Sequence, residues 1–159
     1  MFKRHVLPVI LAAMMTAPSN AAASAAAPAP AGEWLVADGS ARIRIQPCDD
    51  ALWGVIVWAT DPGKDKNNPD PALRDRSVIG MPVLLDMEKN GQNRWDGQIY
   101  NAENGKTYTA NISLVREDVL RVEGCVFGGL FCGGENWTRE TAQSDASRST
   151  PSRLIDVCP

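Results

Sequence analysis

Apolar and polar residues alternate with a period of two along most of the chain, and turn dipeptides interrupt the alternation at short intervals. The pattern is clearest at residues 42–46. There Ile43 and Ile45 point one way and Arg42, Arg44 and Gln46 the other, which describes a half-buried strand. The same reading predicts eight strands, at 33–37, 42–46, 52–59, 83–88, 94–100, 107–115, 120–126 and 136–140. Asp38-Gly39, Asn90-Gly91 and Asn104-Gly105 fall between consecutive strands and are hairpin signals, because these residues tolerate positive φ. No long stretch keeps the 3.6-residue period of an amphipathic helix. Eight short antiparallel strands predict an all-β, up-and-down barrel, since closure removes every sheet edge. A two-sheet sandwich is the alternative.

The third strand departs from the one-sided rule. Leu52, Gly54, Ile56 and Trp58 share one face, and Trp53, Val55 and Val57 share the other. A strand apolar on both faces is covered on both. The C-terminal tail, 141–159, supplies a cover: it is rich in Ser and Thr but ends in Leu154, Ile155 and Val157. The four cysteines fit this picture. An even count in a small exported domain favours disulfides. Cys125 and Cys132 flank a Gly-rich loop, and closing it contributes about 2–3 kcal/mol in the chain-entropy model. Cys48 then pairs with Cys158, contributing up to about 4–5 kcal/mol and pinning the tail over strand three. Four thiolates around zinc are the alternative, but no CxxC spacing supports it.

Residues 1–25 have the form of a Sec secretory signal. Lys3 and Arg4 precede an apolar run at 6–15, and small residues suited to cleavage follow. An uncleaved anchor is the alternative, though the run is short for a membrane span. Residues 26–31 form a short disordered lead-in, and the barrel domain occupies 32–140. The expected destination is the periplasm or the exterior. The chain's one histidine, His5, leaves with the signal. That removes the usual base of serine and cysteine hydrolases and the commonest zinc ligand. Without Lys3 and Arg4, 14 basic residues face 19 acidic ones, a net charge near −5. No basic patch is left to follow a phosphate backbone, so nucleic acid is not an expected partner. No later segment has the apolar length of a membrane span.

The densest polar cluster is the loop at 60–77. Asp65, Asn67 and Asp70 invite a calcium reading, but an EF-hand starting at Asp65 needs Gly and Glu where the chain has Asp70 and Arg76. The plainer reading is a loop stiffened by Asx-turns, Pro69 and Pro71, with Asp70 capping one helical turn that carries Leu73. The functional reading makes the loop a lid over the barrel mouth, offering Arg74 and Arg76 to a carboxylate or phosphate. Inside, alternation places Trp95, Gly97 and Ile99 on one inward face. Tyr108, Ala110, Ile112 and Leu114 form another, and Leu120, Val122 and Gly124 a third. Gly54, Gly97, Ala110 and Gly124 either leave a cavity beside Trp58, Trp95 and Tyr108 or let those rings pack. The candidate ligand residues are therefore Trp58, Trp95, Tyr108, Arg74 and Arg76, for a small apolar or amphipathic ligand. No catalytic residue, metal ligand or cofactor site is assigned. The alternative function is a filled barrel that recognises an envelope protein through Trp53 or the 126–135 loop. A carboxylate hydrolase would need two inward carboxylates, and the pattern shows no such pair.

Several motifs act together. Gly32-Glu33-Trp34 opens the domain and Trp137-Thr138-Arg139 closes it. Between them lie Asp65-x-x-Asn68-Pro69-Asp70, Arg74-x-Arg76, Gly80, Trp95-x-Gly97-x-Ile99-Tyr100 and Gly105-Lys106-Thr107-Tyr108. Over 32–140 this combination resembles a family of exported bacterial domains of unknown function, number 2147. That family is similar to lipocalins in fold, so the resemblance implies a small calycin-type barrel and no particular chemistry. In lipocalin-like barrels a first-strand Trp plugs the closed end and a last-strand Arg lies across its ring. The resemblance gives those structural roles to Trp34 and Arg139, a contact of about 1–2 kcal/mol. The chain departs from the family at Trp53, where members often carry a cysteine that pairs locally with the position of Cys48. Its loss frees Cys48 for Cys158.

Overall fold

The computed structural model describes residues 30–140 and 155–159. The expected signal, most of the lead-in, and residues 141–154 of the tail (Leu154 included) lie outside the described residues. Eight strands follow in chain order: β1 (Gly32–Leu35), β2 (Ala41–Cys48), β3 (Ala51–Ala59), β4 (Pro82–Lys89), β5 (Arg94–Asn101), β6 (Lys106–Arg116), β7 (Val119–Val126) and β8 (Phe131–Arg139). Each pairs antiparallel with the next, and β1 pairs with β8 to close a barrel. The sandwich is overturned by that last pairing, which sets Trp34 opposite Arg139 and Leu35 opposite Thr138. β8 begins well before the expected residue 136. Gly133 and Gly134 hide the alternation there, but the strand is held in register by Gly124↔Gly133 and Cys125↔Cys132.

Up-and-down connectivity sorts the turns between two ends. The β2–β3, β4–β5 and β6–β7 turns lie at one end with the start of β1. The β1–β2 turn, the β3–β4 loop, the β5–β6 turn and the β7–β8 turn lie at the other. The first end is plugged. Trp34 is fully buried, and its indole Nε1 donates to the Pro30 carbonyl at 2.9 Å. The Arg139 guanidinium carbon lies 4.2 Å from the centre of the Trp34 ring. The same guanidinium donates to the carbonyls of Ala31 (2.7 Å) and Glu117 (2.6 Å), so its charge is hydrogen-bonded as well as stacked. Gly32 is required beside it: it holds φ at 131°, and a Cβ there would sit 2.6 Å from an Arg139 nitrogen.

Above the plug the barrel is filled. Ile45, Leu52, Met87, Trp95, Ile112 and Leu120 belong to one buried cluster with Trp34. The small inward residues here leave no room. A Cβ on Gly54 would meet Leu84 at 3.1 Å and Ile43 at 3.2 Å. One on Gly97 would meet the Asp86 and Leu85 carbonyls at 2.6 and 2.7 Å, where β4 bulges against β5.

Outside the barrel, Val157 is buried with Val55 and Val57, and Trp53 and Ile155 pack around them. Cys158 is bonded to Cys48, with Cα atoms 5.5 Å apart. Cys125 is bonded to Cys132 across the β7–β8 ladder. One expectation about faces fails, that of Trp58. Arg42 faces outwards with Arg44, as the alternation predicts, yet it is only 2% exposed. The ladder shifts between Arg42 and Ile43, so Arg42 pairs with Trp58 while Ile43 pairs with Ile56. This bulge resets the alternation of β3 and carries Trp58 to the outer face. There the Arg42 guanidinium lies 5.2 Å from its ring centre.

Candidate ligand site at the barrel mouth

At the open end the filling stops. Two clefts of about 380 Å³ each share Ile99, Asn101, Glu135 and Trp137 as lining. One extends over Tyr108, Val122, Gly124 and Gly133; the other runs towards Val36, Ile43, Ile56 and Tyr100. Each lies near the lower end of the size range of small-molecule sites. Gly124 leaves much of this space: a Cβ there would make only ordinary contacts, 3.5 Å to Ile99 and 3.8 Å to Tyr108.

The register explains which side chains line the mouth. Leu120 pairs with Trp137 and Val122 with Glu135, so Trp137 and Glu135 share the inward face of β8. The Trp137 indole donates to a Glu135 carboxylate oxygen at 2.6 Å, which fixes both groups. The Tyr108 hydroxyl accepts from the Asn104 amide at 2.9 Å. The walls are mainly apolar: Ile99, Val122, Ile56 and the Trp137 ring. Among the described residues, the charged lining is Asp38, Glu103 and Glu135, and neither cleft is lined by Lys or Arg. A larger hollow, about 710 Å³, lies at the plugged end around the Cys48–Cys158 bridge. Half of its lining residues are charged, Asp49, Asp50, Asp86, Glu88 and Lys89, and Trp53 stands beside them.

The β3–β4 loop reaches the same rim and is held by a buried carboxylate. Asp65 is fully buried. It accepts from the Tyr100 hydroxyl (2.6 Å), the Asn68 amide (2.7 Å) and the Arg76 guanidinium (2.8 and 2.9 Å). Burial by itself would raise the Asp65 pKa. The hydrogen bonds from Tyr100, Asn68 and Arg76, with the Arg76 charge, outweigh burial and hold the carboxyl below its ordinary value. Burial and the adjacent carboxylate push the Tyr100 phenol up. Asp70 caps the turn Pro71–Leu73 by accepting from Ala72 N–H at 2.9 Å. Asn67 ties the loop to the β5–β6 turn by donating to the Glu103 carbonyl at 2.7 Å. At its end Met81 enters the core.

This geometry places the five sequence-predicted ligand residues in different surroundings. Tyr108 lines the mouth. Trp95 lies in the filled core, opposite Ile112. Trp58 stands outside the barrel against Arg42. Arg76 is committed to Asp65 and lies 5.7 Å from the Tyr100 ring centre, and Arg74 donates to the Asn68 carbonyl at 2.8 Å. Neither arginine lines the clefts, so the reading of a lid presenting two cations is corrected to a latched rim. The sequence reading missed Glu135 as a mouth residue. Counting back by two from Arg139 through Trp137 finds it.

Among the described residues, no group of three or more His, Cys, Asp or Glu is arranged to hold a metal ion. No helix there is long and apolar enough to cross a membrane. No curated protein matches the chain. A solved structure, protein HP1028 from the human pathogen Helicobacter pylori, described as belonging to the lipocalin family, is similar in fold. It shows 23% identity and a TM-score of 0.66, covering 71% of this chain and 84% of that one. The plugged, mostly filled, open-mouthed barrel is thus a lipocalin-like architecture. Residues 32–139 match the family described as an uncharacterised protein conserved in bacteria, DUF2147, and the chain belongs to that family.

Proposed function

We propose that the domain binds one small amphipathic molecule in its open mouth. The observation that carries this reading is the contrast along the barrel axis. Side chains fill the plugged half, while the open half keeps apolar clefts converging on Glu135 and Trp137. The apolar part of the ligand lies against Ile99, Val122 and the Trp137 ring. Its polar end meets Asn101 and Glu135. With three carboxylates and no cation in the lining, that end is neutral or an amine rather than an acid or phosphate. The role is binding, without a catalytic step. Export to the periplasm or the exterior accompanies this proposal, and two disulfides suit such an oxidising compartment. Recognition of an envelope protein through Trp53 is less favoured, because Trp53 packs against the tail.

The test is a fluorescence titration with N-phenyl-1-naphthylamine, an apolar aromatic amine that brightens when sheltered from water. The wild-type protein should bind it saturably at a single site. Gly124→Phe, which places a ring in the cleft, should abolish binding while leaving the melting curve in place. No saturable binding to the wild type, or equal binding by the variant, would refute the proposal.

A further inference from the structure

We propose that the β7–β8 tip seats the domain on a zwitterionic lipid surface, with the barrel mouth facing the lipid. Phe127, Leu130 and Phe131 are 77%, 78% and 68% exposed, and Val126 beside them is 40% exposed. They are the large exposed apolar side chains of the rim, apart from the partly exposed Leu73 of the latched loop. The two phenyl rings touch each other edge to face, with centroids 6.1 Å apart. Among the described residues, a Cβ on Gly128, Gly129 or Gly133 would find no other atom within 4 Å, so the tip stands clear of the described barrel. Phe127 adopts φ 53°, a left-handed conformation unfavourable to an aromatic residue. The positive φ of Phe127 and Gly128 closes the hairpin, and the Phe127 ring stays outside the core.

The chemistry of the tip suits a lipid. From Gly124 to Gly134 there is no charged side chain, and the charges bracketing this stretch are Glu123 and Glu135. Anionic headgroups would be repelled, whereas a zwitterionic interface would not. A stable protein interface engages roughly 20–30 residues a side, and four side chains at a hairpin end fall well short of that. Shallow insertion needs only such a wedge. The disulfide Cys125–Cys132 braces the hairpin immediately below the tip, so the rings are presented on a stiff support. The position also suits the mouth. Val126 pairs with Phe131, Gly124 with Gly133, Val122 with Glu135 and Leu120 with Trp137, all on the inward face. These pairs form a mainly apolar ramp from the tip into the cleft, with the Glu135 carboxylate as its one charged group. A ligand leaving the lipid would pass down it; that second step rests on the proposed ligand binding, whereas the docking does not.

The experiment is flotation of the full exported chain with phosphatidylcholine vesicles, repeated with vesicles enriched in phosphatidylglycerol. The wild type should float with the zwitterionic vesicles and less with the anionic ones. Phe127→Ser combined with Leu130→Ser should weaken partitioning at least about tenfold, since two large apolar side chains leave the lipid. The pair should not alter the melting curve, because neither residue packs on the core. F131W supplies a second readout: its indole should be quenched by lipids brominated along the acyl chain. Wild type that fails to float, partitioning unaffected by the double substitution, or a tip that binds a purified envelope protein while ignoring vesicles would each overturn the docking. Vesicle binding without N-phenyl-1-naphthylamine binding would leave the docking standing and remove only the ligand reading.

Discussion

On one side of the barrel's rim the β3–β4 loop closes around a fully buried carboxylate; on the other the β7–β8 tip holds two phenyl rings in the open. The loop is the more polar segment, yet it is the better enclosed. Asp65 meets three donor groups, from Tyr100, Asn68 and Arg76, and the loop is tied to the neighbouring turn through Asn67. The tip has apolar side chains and a disulfide at its base, but no core to enter. Polarity is therefore a poor guide to burial in this rim. What decides is whether a group's partners enclose it: Asp65 is surrounded by its donors and is buried, whereas Phe127 meets the edge of the likewise exposed Phe131 and stays exposed.

Removing the hub should produce the largest change. Asp65→Ala leaves Arg76 and the Tyr100 hydroxyl without their acceptor. It should cost about 3 kcal/mol, at the low end for a broken buried pair because water still reaches Arg76. A denaturant melt measures this. Protonation should act in the same direction. The folded carboxyl has a lowered pKa, so its contribution is fully present above the ordinary Asp value, about 3.9. It is lost as pH falls through the folded value. In Asp65→Asn that part of the acid dependence should vanish, leaving a flatter stability profile below pH of about 4. A profile parallel to the wild type would show that the carboxylate does not hold the rim.

The brace of the tip comes next. Replacing both Cys125 and Cys132 with Ser should cost about 2–3 kcal/mol through the freed unfolded chain. Amide exchange at 126–131 should accelerate while exchange in the β3–β4 loop stays unchanged. Equal acceleration on both sides would mean that the two halves of the rim are not independent. The smallest effect is expected from Phe127→Gly. This ring packs on nothing in the core and sits at positive φ, so stability should stay within about 0.5 kcal/mol of wild type or rise slightly. A loss of several times that amount would place the ring in a contact within the fold.

Much of the architecture was legible because the barrel's physics is periodic. Strict alternation in β2 and β6 marks the inward faces, and the two-sided apolarity of β3 betrays the tail that covers it. Periodicity fails where geometry breaks it. The bulge that sends Trp58 outward to Arg42 leaves no mark in the hydrophobic pattern, since either face of β3 suits a Trp. The start of β8 is masked because Gly133 and Gly134 carry no side chains to alternate. The site was less legible than the fold. Arg74 and Arg76 have the right chemistry for an anionic ligand, but their partners come from within the chain. Asp65 meets Tyr100 across 35 positions of sequence, a contact that no local pattern encodes. Glu135 was within reach of simple counting from Arg139, but only for a β8 long enough to include it.

Native mass spectrometry of the barrel domain, after exposure to a total lipid extract of bacterial envelope, tests the open mouth most directly. The wild type should retain one amphiphile per chain, and Gly124→Phe should carry none. A bare wild-type spectrum, or the same adduct on both proteins, would contradict a ligand site at Glu135 and Trp137.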